Sequence, residues 1–274
     1  MEGVLRGALL TGLALIWTGF ASAGESQTFL GFRLLDLENQ TVKWQSPRLG
    51  ESAAVTYALA TEASDTPGAR NCAKMLPSSG AYQPSRISRS RFRREVAAAF
   101  RMWEEVAGIT FREIDDPKAA DILIGAQAEP VGRAFTNVAL KPAGEGRKVI
   151  ARALICLNPR QAWKIGFDGN LDVYDLRYTI AHEIGHAIGL DHPGASGQLM
   201  SYRYDEGQEG LQAGDVKGAA LLYGPRAGGP RFAGTGAMPR SARAAAASND
   251  APKDTKPGWP FGIGDEGEKA GAPR

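Results

Sequence analysis

"AHEIGHAIGLDHPG", residues 181–194, holds all three histidines of a 274-residue chain: His182, His186 and His192. A packed core gains nothing from such clustering, so the reason for it is chemical. On a helix, residues four apart lie on one face. His182 and His186 therefore direct their imidazoles at one point. Glu183 stands about 100° round the helix from His182, within reach of a water held at that point. Gly189 lies near the end of the helical run, where a chain that leaves sharply needs a residue without a Cβ penalty. His192 then returns from outside the helix as a third ligand. Three protein ligands leave a fourth position open, which is the pattern of catalytic zinc rather than of closed structural zinc. Imidazole suits other late first-row metals, but a redox-inert Lewis acid fits best, so one Zn2+ is expected.

That ligand set implies a reaction. Zinc lowers the pKa of its bound water towards ~7 and polarises a carbonyl. Glu183 takes the water's proton as general base and passes it to a leaving amine. A bare H-E-x-x-H also fits a chance helix with exposed polar groups. H-E-x-x-H-x-x-G-x-x-H fixes five positions and leaves that bland reading little room.

Outward from the motif, the helix that carries it is expected over roughly 175–190. Residues 91–107, "RFRREVAAAFRMWEEVA", predict a second, amphipathic helix. Phe92, Val96, Ala99, Phe100, Trp103 and Val106 recur at three- and four-residue steps, with Ser90 as N-cap and Gly108 as stop. "AAVTYALA" (53–60), "ITFREI" (109–114), "ADILIGA" (120–126), "GRAFTNVAL" (132–140) and "ARALICL" (151–157) read as strands. "GDVKGAALLYG" (214–224) reads as a short last helix. Residues 61–90, rich in Ser, Pro, Gly and Arg, read as a long loop carrying Cys72. Strands with interposed helices predict a mixed α/β (α+β) domain.

The two ends differ from this body. Arg6, the apolar run 7–20 and "ASA" at 21–23 predict a signal peptide over 1–23 that is removed on export. The run is short for a membrane span. Residues 225–274 are rich in Ala, Gly and Pro and hold no leucine or valine. They read as a mostly disordered tail, in which Trp259 and Phe261 of "GWPFGIG" stand out as a small docking motif of lower weight. The catalytic domain is then 24–224. A net charge of +2 gives no electrostatic case for nucleic acid. Two cysteines in an exported chain most simply form one disulfide, Cys72–Cys156. A free thiol and a thiol switch on the metal remain as alternatives.

With these residues in view, the chain resembles the metzincin zinc endopeptidases. "HEIGHAIGLDH" matches their extended motif at every fixed position, and Met200 in "QLMSY" resembles the methionine of the Met-turn beneath the metal. Its spacing of eight residues from His192 is similar to that of matrixins, the matrix-metalloproteinase family. "FRREVAAAFRMWEEVAGITF" with "ADILIG", and "LQAGDVKGAALLYG", resemble the first helix with its following strands and the closing segment of the matrixin domain. The resemblance implies a mixed, mainly parallel twisted sheet, two long helices, a Met-turn and a short C-terminal helix. Pro193 and Tyr202 lean towards serralysins, and Tyr202 towards astacins too. There a tyrosine two residues past the methionine reaches the metal and donates to the oxyanion. Residues 127–160 contain no histidine, so a second, structural zinc of the matrixin type is excluded, and no pattern supports calcium.

The expected function is an exported zinc-dependent endopeptidase, secreted or periplasmic and monomeric. It would act on protein or peptide drawn along an edge strand, "GRAFTNVAL", with Ala134 in the substrate-binding stretch. No membrane contact is expected once the signal is cleaved. The rival class is a non-catalytic, zinc-stabilised binding module, which has no use for a general base at Glu183.

Overall fold

The computed structural model describes residues 31–194 and 197–227, and the backbone of 261–264. The signal peptide over 1–23 and the remainder of the tail beyond 227 lie outside the described residues. Among the described residues no helix is long and apolar enough to cross a membrane.

The central strand explains the sheet. "ILIGAQ", Ile122–Gln127, is buried at all six positions. That fits a strand covered on both faces in a largely parallel sheet. We label the strands β1 (Ala53–Leu59), β2 (Lys74–Leu76), β3 (Ile109–Glu113), β4 (Ile122–Gln127), β5 (Ala134–Pro142), β6 (Lys148–Leu157) and β7 (Phe261–Gly264). The sheet runs β3-β1-β4-β6-β5-β7. β3, β1, β4 and β6 are mutually parallel. β5 returns antiparallel on β6, and β7 lies antiparallel on β5. The mixed, mainly parallel sheet expected from the sequence is therefore present.

The helices are α1 (Arg89–Glu104), α2 (Leu176–Ala187) and α3 (Ala213–Tyr223). α1 buries Phe92, Val96, Ala99, Phe100 and Trp103, the expected stripe. It opens two residues before the expected start. Ser88, not Ser90, has the extended backbone of a cap, and its hydroxyl accepts from Arg91 N at 3.2 Å. It also ends at Glu104, short of Gly108. Glu95 on the same face is buried, held by Arg91 at 2.8 Å and Arg177 at 2.7 Å. Trp103 Nε1 donates to Ala181 O at 2.9 Å and locks α1 against α2. Truncating one such buried aromatic typically costs ~3–5 kcal/mol.

Residues 61–90 are more ordered than a plain loop. Ser64–Asp65 pairs with β2, β2 pairs antiparallel with the end of β4, and a one-turn helix follows at Ser79–Tyr82. Pieces of two to four residues are too short to leave a periodicity in the sequence, which is why they were missed. Cys72 in this stretch is bonded to Cys156 on β6, with Cα atoms 5.9 Å apart.

Candidate metal centre

α2 is placed by its cap: Asp175 accepts from Tyr178 N at 2.8 Å. From Tyr178 to Ala187 every residue is buried, so both histidines face the interior. The chain then turns out at Gly189, whose φ is +104°. A Cβ there would run into the carbonyl oxygen of Val42, so glycine is required twice over. This exit brings His192 back to the helix.

The three imidazoles converge. His182 Nε2 lies 3.1 Å from His192 Nε2, and His186 Nε2 lies 3.2 Å from it. The edge of a tetrahedron of nitrogens around zinc, at ~2.0 Å from the ion, is roughly 3.3 Å, so the nitrogens stand where zinc would need them. The far side of each helical ring is fixed. His182 Nδ1 donates to Leu199 O at 2.7 Å, and His186 Nδ1 donates to Leu190 O at 2.9 Å. That tautomer leaves each Nε2 lone pair free for a cation. Burial holds all three histidines below the usual imidazole range, His182 well below it. They are neutral at pH 7, as ligation requires. The residues fit zinc: the set is the group of His, Cys, Asp and Glu side chains among the described residues that could hold an ion.

Glu183 is fully buried beside them. Its Oε2 accepts from the Thr136 hydroxyl at 2.6 Å, while its Oε1 is buried with no hydrogen-bond partner. Burial pushes its carboxyl up to about 7, against the Thr136 hydrogen bond and the positive charge of Arg133. One oxygen is thus anchored and the other is free for a proton.

Met200 is almost fully buried against Gly185 of α2. Gly185, inside the H-E-x-x-H motif, is what admits it, because a Cβ at 185 would overlap Met200 Sδ. Asp215 then fixes the turn that carries the methionine. Its Oδ2 accepts from Leu199 N and from Gln212 N, both at 2.9 Å, and its Oδ1 accepts from Met200 N at 3.2 Å. Tyr202 stacks its ring on His192, with centroids 3.9 Å apart, and is 52% exposed at the rim. It is the ring face, then, that meets the metal centre. Ala134, at the start of β5 and opposite Leu157, has its side chain in the core, so it can serve a substrate only through its main chain.

Sequence reading missed Thr136, Asp215 and Arg133. Thr136 lies 47 residues from Glu183, and nothing local marks it. Asp215 did leave a sign, since it is the N3 partner of Gln212 in a capping box at the start of α3. Arg133 is buried with its guanidinium 4.4 Å from the ring centre of Tyr174 and 5.7 Å from that of Tyr204.

Comparison with known proteins agrees with this geometry. The family model described as Matrixin matches residues 79–224, a little over half of the chain. Matrix metalloproteinase-19 of Mus musculus is 35% identical over 153 residues, covering 52% of this chain and 27% of that protein. The hatching enzyme of Paracentrotus lividus is 30% identical over 155 residues, covering 53% and 24%. Matrix metalloproteinase-23 of Bos taurus is 30% identical over 158 residues, covering 50% and 38%. The chain thus spans well under half the length of these relatives. With the His182–His186–His192 centre, the buried Met200 and the matching segment 79–224 in agreement, the chain belongs to the matrixin family.

Proposed function

We propose that the chain is an exported zinc-dependent endopeptidase, and that Glu183 is its general base. The observation that carries the reading is the convergence of three neutral Nε2 atoms next to a carboxylate with one oxygen anchored and one unpartnered. When bound by His182, His186 and His192, zinc would supply Lewis acidity, lowering the pKa of a water towards ~7 and polarising the peptide carbonyl. Glu183 Oε1 accepts a proton from the attacking water as its oxygen bonds to the carbonyl carbon. The same carboxyl then delivers that proton to the amide nitrogen as the C–N bond breaks, leaving a carboxylic acid and an amine. Thr136 keeps the carboxylate oriented through both transfers. Tyr202, whose ring rests on His192, is assigned the donor to the oxyanion through a swing of its hydroxyl when substrate arrives.

The substrate is read as an extended protein or peptide segment paired by its main chain to β5, from Ala134 onwards. Secretion or a periplasmic location is supported by the signal-like N-terminus and by the Cys72–Cys156 bond, which persists in oxidising compartments. The chain is read as a monomer. The decisive test pairs zinc content with casein or gelatin digestion. Wild type should bind about one zinc and lose digestion on chelation. Glu183→Ala should keep the zinc and lose nearly all digestion. Loss of zinc together with activity would make Glu183 structural, and a zinc-loaded wild type that digests nothing would favour a binding module.

A further inference from the structure

β7 lies on the open side of β5, with Phe261 opposite Val138, Gly262 opposite Asn137, Ile263 opposite Thr136 and Gly264 opposite Phe135. β5 is flanked by β6 on one side and by β7 on the other. An edge strand offers one row of N–H and C=O groups on its free side, so it takes one pairing strand at a time. β7 uses the row that an incoming peptide would need. Direction sharpens the overlap. Read from N to C terminus, β7 passes from Val138 to Phe135 and so crosses opposite Thr136, whose hydroxyl holds Glu183.

We propose that the tail segment Phe261–Gly264 is a built-in occupant of the substrate edge, competing in cis with peptide substrates so that the chain restrains its own activity. The proposal rests on the reading of β5 as the substrate strand. The segment is suited to being displaced. Glycine at 262 and 264 gives it little strand propensity. Its hold comes from being tethered. Covalent linkage to the body sets an effective concentration of about 1 mM. A segment that would bind alone at ~0.1 mM is then docked roughly ten times in eleven.

The test uses the full chain with Gly262→Pro and Ile263→Pro together. Successive residues in a strand point their N–H groups to opposite sides, so removing two adjacent donors deletes one that faces β5. Hydrogen–deuterium exchange over 134–142 reports docking, and peptide hydrolysis reports competition. The expected result is faster exchange in β5, a KM about tenfold lower and an unchanged kcat. Unchanged exchange would overturn the proposal by showing that the tail is not on β5. Faster exchange with unchanged KM would overturn it too, showing that docking does not exclude substrate. In that case chelator-sensitive hydrolysis in the same assay would leave the endopeptidase reading intact. If neither chain hydrolyses peptide, that reading fails and self-restraint with it, while exchange still shows where the tail lies.

Discussion

Thr136 on β5 donates its hydroxyl to Glu183 Oε2 at 2.6 Å, and Thr136 Oγ1 also lies 3.0 Å from the Glu183 carbonyl oxygen. The strand that we assign to the substrate and the carboxylate that we assign to proton transfer are therefore mechanically joined. Thr136→Val keeps the shape and removes the donor. Hydrogen bonds to charged groups are worth ~1.5–3 kcal/mol, so kcat should fall about 10- to 100-fold with zinc content unchanged. Thr136→Ser should restore most of it. A Val variant with wild-type kcat would reduce Thr136 to packing.

Gly185→Ala places a Cβ where Met200 Sδ now sits. Overpacking of this kind costs ~1–3 kcal/mol, and here the strain falls between two zinc ligands. Both the melting temperature and the zinc affinity should drop. Adding Met200→Ala should relieve the clash and recover zinc affinity in part. Additive losses in the double variant would show that the two residues do not compete for the same space.

Tyr202→Phe retains the ring stacked on His192 and removes only the hydroxyl. If that hydroxyl serves the oxyanion, kcat should fall ~100- to 1,000-fold with little change in KM or zinc content. A Phe variant within about threefold of wild type, far below that typical loss, would leave Tyr202 as a lid on His192. Tyr202→Ala would then be the variant that loosens the metal.

Stability of the zinc-free chain should depend on pH. His182, His186 and His192 have folded pKa values below the ordinary 6.5 because burial disfavours their charged forms. The unfolded chain therefore binds more protons as pH falls below 6.5, and each histidine lowers stability there. Glu183, raised to about 7 by burial, acts in the opposite sense, since the folded state holds its proton first. Within the metal centre, three groups against one give a net loss of stability just below pH 6.5, before the buried carboxyls of Asp36, Asp175 and Asp215, also raised by burial, add their opposing effect at lower pH. Chelated protein followed by thermal unfolding in this range should show a falling midpoint, and a flat or rising midpoint would contradict the burial of the three rings.

The centre was legible because its parts are local. Two ligands and the base lie within one turn of helix, the exit glycine follows at once, and six residues after His186 the third ligand returns. Such spacing is set by helix geometry, which the sequence carries openly. Thr136 was not legible, because its role depends on β5 passing beside α2, and that is a matter of sheet order. The strands themselves were readable from their aliphatic runs, as in "ILIGAQ", and the start of α1 slipped by two residues because both Ser88 and Ser90 are good caps and only the backbone angle decides between them. β7 was marked in the sequence only by the small docking motif "GWPFGIG", in which Phe261 stands out, and not as a strand. Strand addition to an edge is made with main-chain groups, and a Gly-X-Gly segment carries no strand periodicity.

The Cys72–Cys156 bond closes a span of 84 residues that takes in α1, β3, β4 and β5. In the chain-entropy picture a closure of this length stabilises by ~4–5 kcal/mol, a large share of the ~5–15 kcal/mol that holds a typical domain together. A newly made chain in reducing surroundings lacks that share. It therefore spends more time open. On the proposed export, oxidation of the two thiols would act as a maturation step set by place: the fold would reach full strength only where electrons are scarce, and the proposed hydrolase would stay slack in the compartment that synthesises it.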